Sequence, residues 1–508
     1  MGTDRRIWSC RACSRRMVMD DAADRRRTAI FLLAISVYFA VQAGLRLALG
    51  GAYETDEAEM LVMTPGLRLG YGPQLPLYNW LQLGFFELFG RGLPALALLK
   101  NLLLWATYLA VFLGLRLWLP AATAALGALS LFLIPDLAWE AQRATTHSNM
   151  LLATSAATLA AFLWAMRRGS FLSWAVLGLA IGLGGLAKYN YFLVPVALGL
   201  AALTLAPMRG ALLRRRALIA PGLAGLIVAA PYAWMLQNRD LAFSSLGKLH
   251  IDAGAAPGRL VPEGLSQLPG GLLALMALPL LVALIAWGLS LGRRRAETGA
   301  GPLPALLLRA ALFAVVLTAA GIWAAHAGTI TSRWLLPIAF LAVPGLFTAL
   351  APRLAARGRT TVFALMAVLA LLVMAGLGYD RFKDGARRDV VFDSLPARLA
   401  EIDGAEGVPV IAEFYTAGNL AALAPGLQIA PYLPFAAHRF GAGPVLFLFR
   451  EHVPPSLEIG AVQAGWPAGS GAGSGIERLQ EGAFSLPYRG SSAEMPFRYV
   501  LARMPALP

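Results

Sequence analysis

The chain has 508 residues, of which 58% are hydrophobic and 14% charged, with a mean hydropathy of +0.63. A soluble globular domain carries about 25% charged residues, so this composition excludes one and describes a polytopic membrane protein. The net charge of +15 is divided as +17 over residues 1–379 and −2 over residues 380–508, which ties the basic excess to membrane topology and lipid head groups rather than to nucleic acid.

Residues 1–27 hold eight Arg and no apolar run, as expected of a basic cytoplasmic tail. The two cysteines, Cys10 and Cys13, both lie in this tail, so no disulfide framework supports an external domain. Residues 28–379 read as a transmembrane domain. A bilayer core needs about 20 apolar residues per helix, and eleven segments qualify: 29–49, 93–115, 120–137, 148–166, 171–187, 191–207, 217–236, 271–291, 304–325, 334–351 and 361–378. With the N-terminus inside, the cytoplasmic loops collect 21 basic residues against five acids, and the opposite side collects 11 against ten. Every loop then obeys the positive-inside rule. An odd number of spans puts residues 380–508 outside. There the apolar runs become short and strand-like (Val408 to Phe414, Val445 to Phe449, Phe497 to Leu501) between Pro/Gly turns, which predicts a small external α/β domain.

The first outer loop, 50–92, is too long for a simple turn. Tyr53 to Trp80 is acidic, aromatic and Gly/Pro-rich, with Asp56, Glu57 and Glu59 inside four positions. The spacing predicts a short surface helix from Asp56 to Arg68, with Met60, Leu61, Met63 and Leu67 dipping into lipid. Asp56 and Glu59 then share one face and Glu57 points elsewhere. Acids beside a membrane are costly and mark function. Asp56, with Glu57 beside it, is the candidate to take a proton from an attacking hydroxyl or amine. Arg46, Arg68, Lys188 and Arg333 fall at the same face and suit a phosphate-bearing leaving group. Tyr71, Tyr78, Tyr189, Asn190 and Glu59 are candidate substrate contacts. In the second outer loop, Asp136, Glu140 and His147 join them. No His/Cys/carboxylate spacing suggests a metal centre. No cofactor is expected, although Asp56-Glu57 is able to hold a divalent ion.

T-D-E-A-E-M followed by L-G-Y-G-P-Q-L-P-L-Y-N-W resembles the first outer loop of the family 39-type glycosyltransferases, the dolichyl-phosphate-mannose-protein mannosyltransferase-like group. In bacteria this group includes the enzyme that transfers aminoarabinose to lipid A. T-T-H-S-N-M-L-L, G-L-G-G-L-A-K-Y-N-Y-F, S-R-W-L-L-P and V-I-A-E-F-Y-T-A-G-N-L-A resemble the same group. The resemblance implies a GT-C fold, a catalytic first outer loop, and an external soluble domain. It also implies a polyprenyl-phosphate-linked sugar donor, inversion at the sugar carbon, and an inner-membrane enzyme with a lipid, glycan or protein acceptor. By position, Asp56 matches the loop acid that activates or positions the acceptor. Many relatives carry an acid in the second outer loop where this chain has Thr146-His147-Ser148-Asn149, leaving His147, Asp136 or Glu140 for that role. A transporter of lipid-linked sugar is the alternative; it calls for mid-membrane charges and an internal repeat, and neither is evident.

Overall fold

The computed structural model describes residues 11–244, 261–291, 301–451, 453–467 and 475–507, with side chains from residue 22 onward. Most of the basic tail, the central part of the third outer loop and the greater part of the Gly-rich stretch at 465–475 lie outside the described residues.

Among the described residues, eight helices are long and apolar enough to cross a membrane. Two bent pairs add up to two more: Ala121–Leu133 with Asp136–Arg143, bent by 82°, and Tyr189–Leu203 with Ala206–Leu212, bent by 116°. Phe171–Gly185 is apolar but shorter, at 15 residues. Each of the eleven segments read from hydropathy coincides with one of these helices or pairs. The bends have local causes. Pro135 follows Ile134 in extended geometry and ends the first arm, and Leu205 is likewise extended before the second.

Between the helix Arg11–Leu49 (α1) and the helix Leu93–Arg116 (α4) run two short helices, Thr55–Met63 (α2) and Leu77–Phe89 (α3). α2 begins with a capping box. The Glu54 backbone N–H donates to Glu57 Oε2 at 3.2 Å, and the Glu54 side chain accepts from the Glu57 backbone. Asp56 and Glu57 sit in its first turn, where the helix dipole favours anions. α2 stops at Met63, five residues before Arg68, because Thr64-Pro65-Gly66 follows. Its apolar face does not dip into lipid. Met60, Leu61 and Met63 are buried against protein, the first two packed with Leu77, Tyr78 and Leu96. Of the four residues assigned to lipid, only Leu67 is exposed.

Beyond Phe382 the chain builds a five-stranded mixed sheet of strands β1 (Val410–Ala412), β2 (Ile429–Pro431), β3 (Gly443–Arg450), β4 (Glu477–Pro487) and β5 (Glu494–Met504), in the order β2-β1-β3-β5-β4. β1 is parallel to β2 and β3, while β5 is antiparallel to β3 and β4. Apolar residues cover both faces, with Val410, Leu446 and Phe497 on one and Ile411, Phe447 and Val500 on the other. β2 and β4 were not legible as apolar runs, and Phe414 begins a helix rather than ending a strand.

Candidate active site

α2 places Asp56 and Glu57 on different sides, as adjacent helical residues must be. Glu57 is fully buried. Its Oε2 lies 2.8 Å from Arg46 Nη2, and its Oε1 lies 3.1 Å from Arg46 Nε and 2.9 Å from Lys100 Nζ. Arg388 of the outer domain approaches it at 3.8 Å. Burial pushes this carboxyl up, but Arg46, Lys100 and Arg388 together outweigh burial and hold it well below the usual range. Glu57 is therefore taken out of the catalytic pair named from the sequence, because its carboxylate is fully engaged by protein cations. Arg46 moves with it. Its third nitrogen donates to the Gly50 carbonyl at 2.8 Å, and the side chain is buried against Glu57.

Asp56 is only half-buried and faces the other way. Burial pushes its carboxyl up, opposed by Arg333, Lys188, Lys100 and a backbone hydrogen bond from Thr146. Among the described residues it makes no ion pair within 4 Å. Lys188 stands at the break between Phe171–Gly185 and Tyr189–Leu203, in extended geometry, and its Nζ donates to Ser148 Oγ at 2.9 Å. Burial draws this ammonium down to about 8, and Asp56, Glu59 and Asp136 support its charge. Arg333 enters at the start of the Ser332–Arg353 helix and donates to Glu140 Oε2 at 2.9 Å. Lys188 thus lies within electrostatic reach of Asp56, Arg333, Glu59 and Asp136, and Arg333 within reach of Asp56 and Asp136.

The second outer loop supplies its carboxylates from a single π-helical turn, Asp136–Glu140, a form that recurs at functional sites. Glu140 is divided between Arg333 and Arg143. Asp136 is half-buried and, among the described residues, makes no ion pair within 4 Å. His147 is held between Asn79 and Thr146. Asn79 Nδ2 donates to Met63 O and Thr64 Oγ1, so Asn79 Oδ1 must accept from His147 Nε2, at 3.1 Å. His147 Nδ1 lies 3.3 Å from Thr146 Oγ1, a hydroxyl able to donate or accept. The histidine is buried, its ring centroid 5.1 Å from that of Tyr78 at a 41° tilt.

Tyr78 is fully buried with an unpaired hydroxyl, and burial and the nearby charges of Glu57 and Asp56 all raise its pKa. Glu59 accepts from Gln74 Nε2 at 3.2 Å. Tyr189 donates to the Ala242 carbonyl, and Asn190 donates to the Trp334 carbonyl, its Oδ1 buried without a partner. The structure does not bring Tyr71 or Arg68 to the cluster. Tyr71 is buried, donating to Gly66 O and accepting from Arg68 N, which holds the turn after α2. Arg68 is exposed and its charge faces Arg439 of the outer domain. Lys100 and Arg388 were missed from the sequence.

The chain superimposes on the structure of ArnT from Cupriavidus metallidurans bound to undecaprenyl phosphate, covering 93% of this chain and 97% of that one, with a TM-score of 0.57 at 14% identity. The apo form of ArnT gives 0.55, also at 14% identity. The fold is that of a GT-C membrane glycosyltransferase. Residues 72–235 match the family described as dolichyl-phosphate-mannose-protein mannosyltransferase. Over 498 residues, 93% of this chain and 96% of the relative, the chain is 32% identical to lipopolysaccharide core galacturonosyltransferase RgtA of Rhizobium johnstonii. It is 33% identical to RgtB of the same organism over 323 residues, 63% of this chain and 65% of that relative. The chain belongs to this family of multi-pass membrane glycosyltransferases.

Proposed function

We propose that the protein transfers a monosaccharide from a polyprenyl-phosphate donor to a lipid-borne glycan, and that Asp56 activates the acceptor. The carrying observation is the partly buried Asp56 carboxylate, without an ion pair among the described residues, beside two cations from other elements, Lys188 and Arg333. In this reading the acceptor hydroxyl attacks the anomeric carbon and gives its proton to Asp56. The bond from that carbon to the phosphate oxygen breaks, and its electron pair leaves with the polyprenyl phosphate. Lys188 and Arg333 stabilise the phosphate charge that develops. A phosphate is a competent leaving group once its charge is met, so one carboxylate and a cationic pair suffice. Asp136, opposite the same cations, is the second-loop carboxylate best placed to orient the acceptor. The relatives named as lipopolysaccharide core galacturonosyltransferases narrow the reading to a hexuronic acid donor and a lipopolysaccharide core acceptor.

The reading sets the site and the sheet domain on the external face of a bacterial inner membrane, with the tail in the cytoplasm. The charge asymmetry of the loops supports this orientation. Its test is Asp56→Asn in membranes supplied with polyprenyl-phosphate-linked galacturonic acid and lipopolysaccharide core. Transfer falls by about 10²-fold or more while the protein accumulates normally. Wild-type transfer by Asp56→Asn removes Asp56 from the chemistry.

A further inference from the structure

The stretch V-I-A-E-F-Y-T-A-G-N-L-A in the outer domain touches none of the chemistry above. Its helix, Phe414–Leu423, crosses directly over α2. Gly418 is the crossing point. A Cβ added there would lie 2.2 Å from the Ala58 carbonyl oxygen and 2.5 Å from Ala58 Cα, so the two backbones touch and a side chain forces them apart. One residue on, buried Asn419 brackets the backbone of Tyr53. Its Nδ2 donates to Tyr53 O at 3.0 Å and its Oδ1 accepts from Tyr53 N at 2.8 Å. Arg388, also from the outer domain, reaches Glu54 at 3.8 Å and donates to the Arg143 carbonyl.

These contacts bear on a helix that cannot hold itself. α2 has nine residues, well below the length at which an isolated helix is stable in water. It follows Gly50 and Gly51, both at positive φ, and ends before a proline. Its placement is set by what it packs on, and Tyr53 is only three residues from Asp56.

We propose that Gly418 and Asn419 are positioning residues for the transfer reaction. Through them the outer domain fixes α2 and sets the Asp56 carboxylate against Lys188 and Arg333. The outer domain is then part of the catalytic apparatus rather than an appended module. This inference rests on the reading of Asp56 as the acceptor-activating group. A reacting group displaced by 1 Å costs on the order of 10²-fold in rate. The same displacement alters the distance from Asp56 to its two cations, and with it the pH at which Asp56 loses its proton.

The test uses the full-length enzyme, with initial rates measured across pH while donor and acceptor are varied. Asn419→Ala and Gly418→Ala are each expected to lower kcat by about 10- to 100-fold, to leave the donor KM within about twofold, and to move the acid limb of the pH profile. Asn419→Asp keeps the size and the hydrogen bond that Tyr53 N–H donates, but loses the two that Nδ2 gives to the Tyr53 and Tyr415 carbonyls; about 10-fold loss or more is expected, within the worth of those bonds. Trp466→Phe is the control. Trp466 packs on Phe447 in the outer-domain core, on the sheet face away from Tyr415 and Leu420. It lowers the melting temperature of the same domain and leaves kcat and the acid limb unchanged. Wild-type kcat and acid limb in Asn419→Asp and Gly418→Ala overturn the proposal, as does an equal kcat loss in Trp466→Phe. Asp56→Asn runs alongside. If it still transfers sugar, the reading of Asp56 fails; if it is inactive while the Asn419 variants match wild type, the positioning inference alone fails.

Discussion

Lys100 Nζ lies 2.9 Å from Glu57 Oε1, with both side chains buried, so a charge inside an apolar membrane helix is answered by one on the loop that carries Asp56. Removing one partner of such a pair leaves an uncompensated charge, which costs about 3–5 kcal/mol. Glu57→Gln leaves Arg46, Lys100 and Arg388 facing one another with only Glu54 nearby. Lys100→Met leaves Glu57 with two cations. Glu57→Gln is therefore expected to be the more damaging of the two, read as the larger fall in melting temperature of the detergent-solubilised protein.

The pH profile of kcat/KM should be bell-shaped. In the proposed mechanism Asp56 works as a carboxylate and Lys188 as a cation; the Asp56 pKa is raised, so activity is lost as pH falls through that raised value. Burial lowers Lys188 to about 8, so activity is lost as pH rises through about 8. Lys188→Arg should erase the alkaline limb, since a guanidinium stays protonated throughout. Rates measured from pH 5 to 10 check both statements.

His147 bridges Asn79 and Thr146 in a buried position, and its substitution tests whether that bridge is its role. His147→Gln is expected to keep kcat within about tenfold and to leave both limbs of the pH profile in place, while stability drops by about 1–3 kcal/mol for the broken buried hydrogen bonds. A lost limb would mean that the imidazole titrates in the reaction.

Among the described residues no group of three His, Cys, Asp or Glu is arranged to hold a metal ion. If Lys188 and Arg333 supply the charge for the phosphate, as proposed, transfer should survive dialysis against a chelator and gain nothing from added divalent ions. Loss on chelation, restored by one ion, would assign the phosphate charge to that ion.

Much of the architecture was written in hydropathy. Eleven apolar segments became helices because a run of that length has few other stable forms in lipid. Asp56, Lys188 and Arg333 were legible for the same reason: each is a charge where the surroundings are apolar. Glu57 was misassigned although helical geometry already turned it away from Asp56. Its neighbour in sequence made it look catalytic, and only the fold shows three cations waiting for it. Lys100 was readable in principle. A lysine in L-A-L-L-K-N-L-L-L needs a buried partner, and an acid in the preceding loop was the available one. Arg388 was not readable, because R-R-D in a charged domain looks like any solvated surface. The early stop of α2 followed from Thr64-Pro65-Gly66, a stronger signal than the apolar spacing that predicted its continuation to Arg68.

The Glu57 cluster draws its members from residues 46, 57, 100 and 388. The first three emerge early in translation, and the fourth arrives after the last membrane helix has been made. A nascent chain halted before residue 388 has inserted its helices but lacks Arg388, Gly418 and Asn419 against the Asp56 loop. If Asp56 is the reacting group, the order of synthesis acts as a safeguard: its loop is not braced until the sheet domain has been delivered.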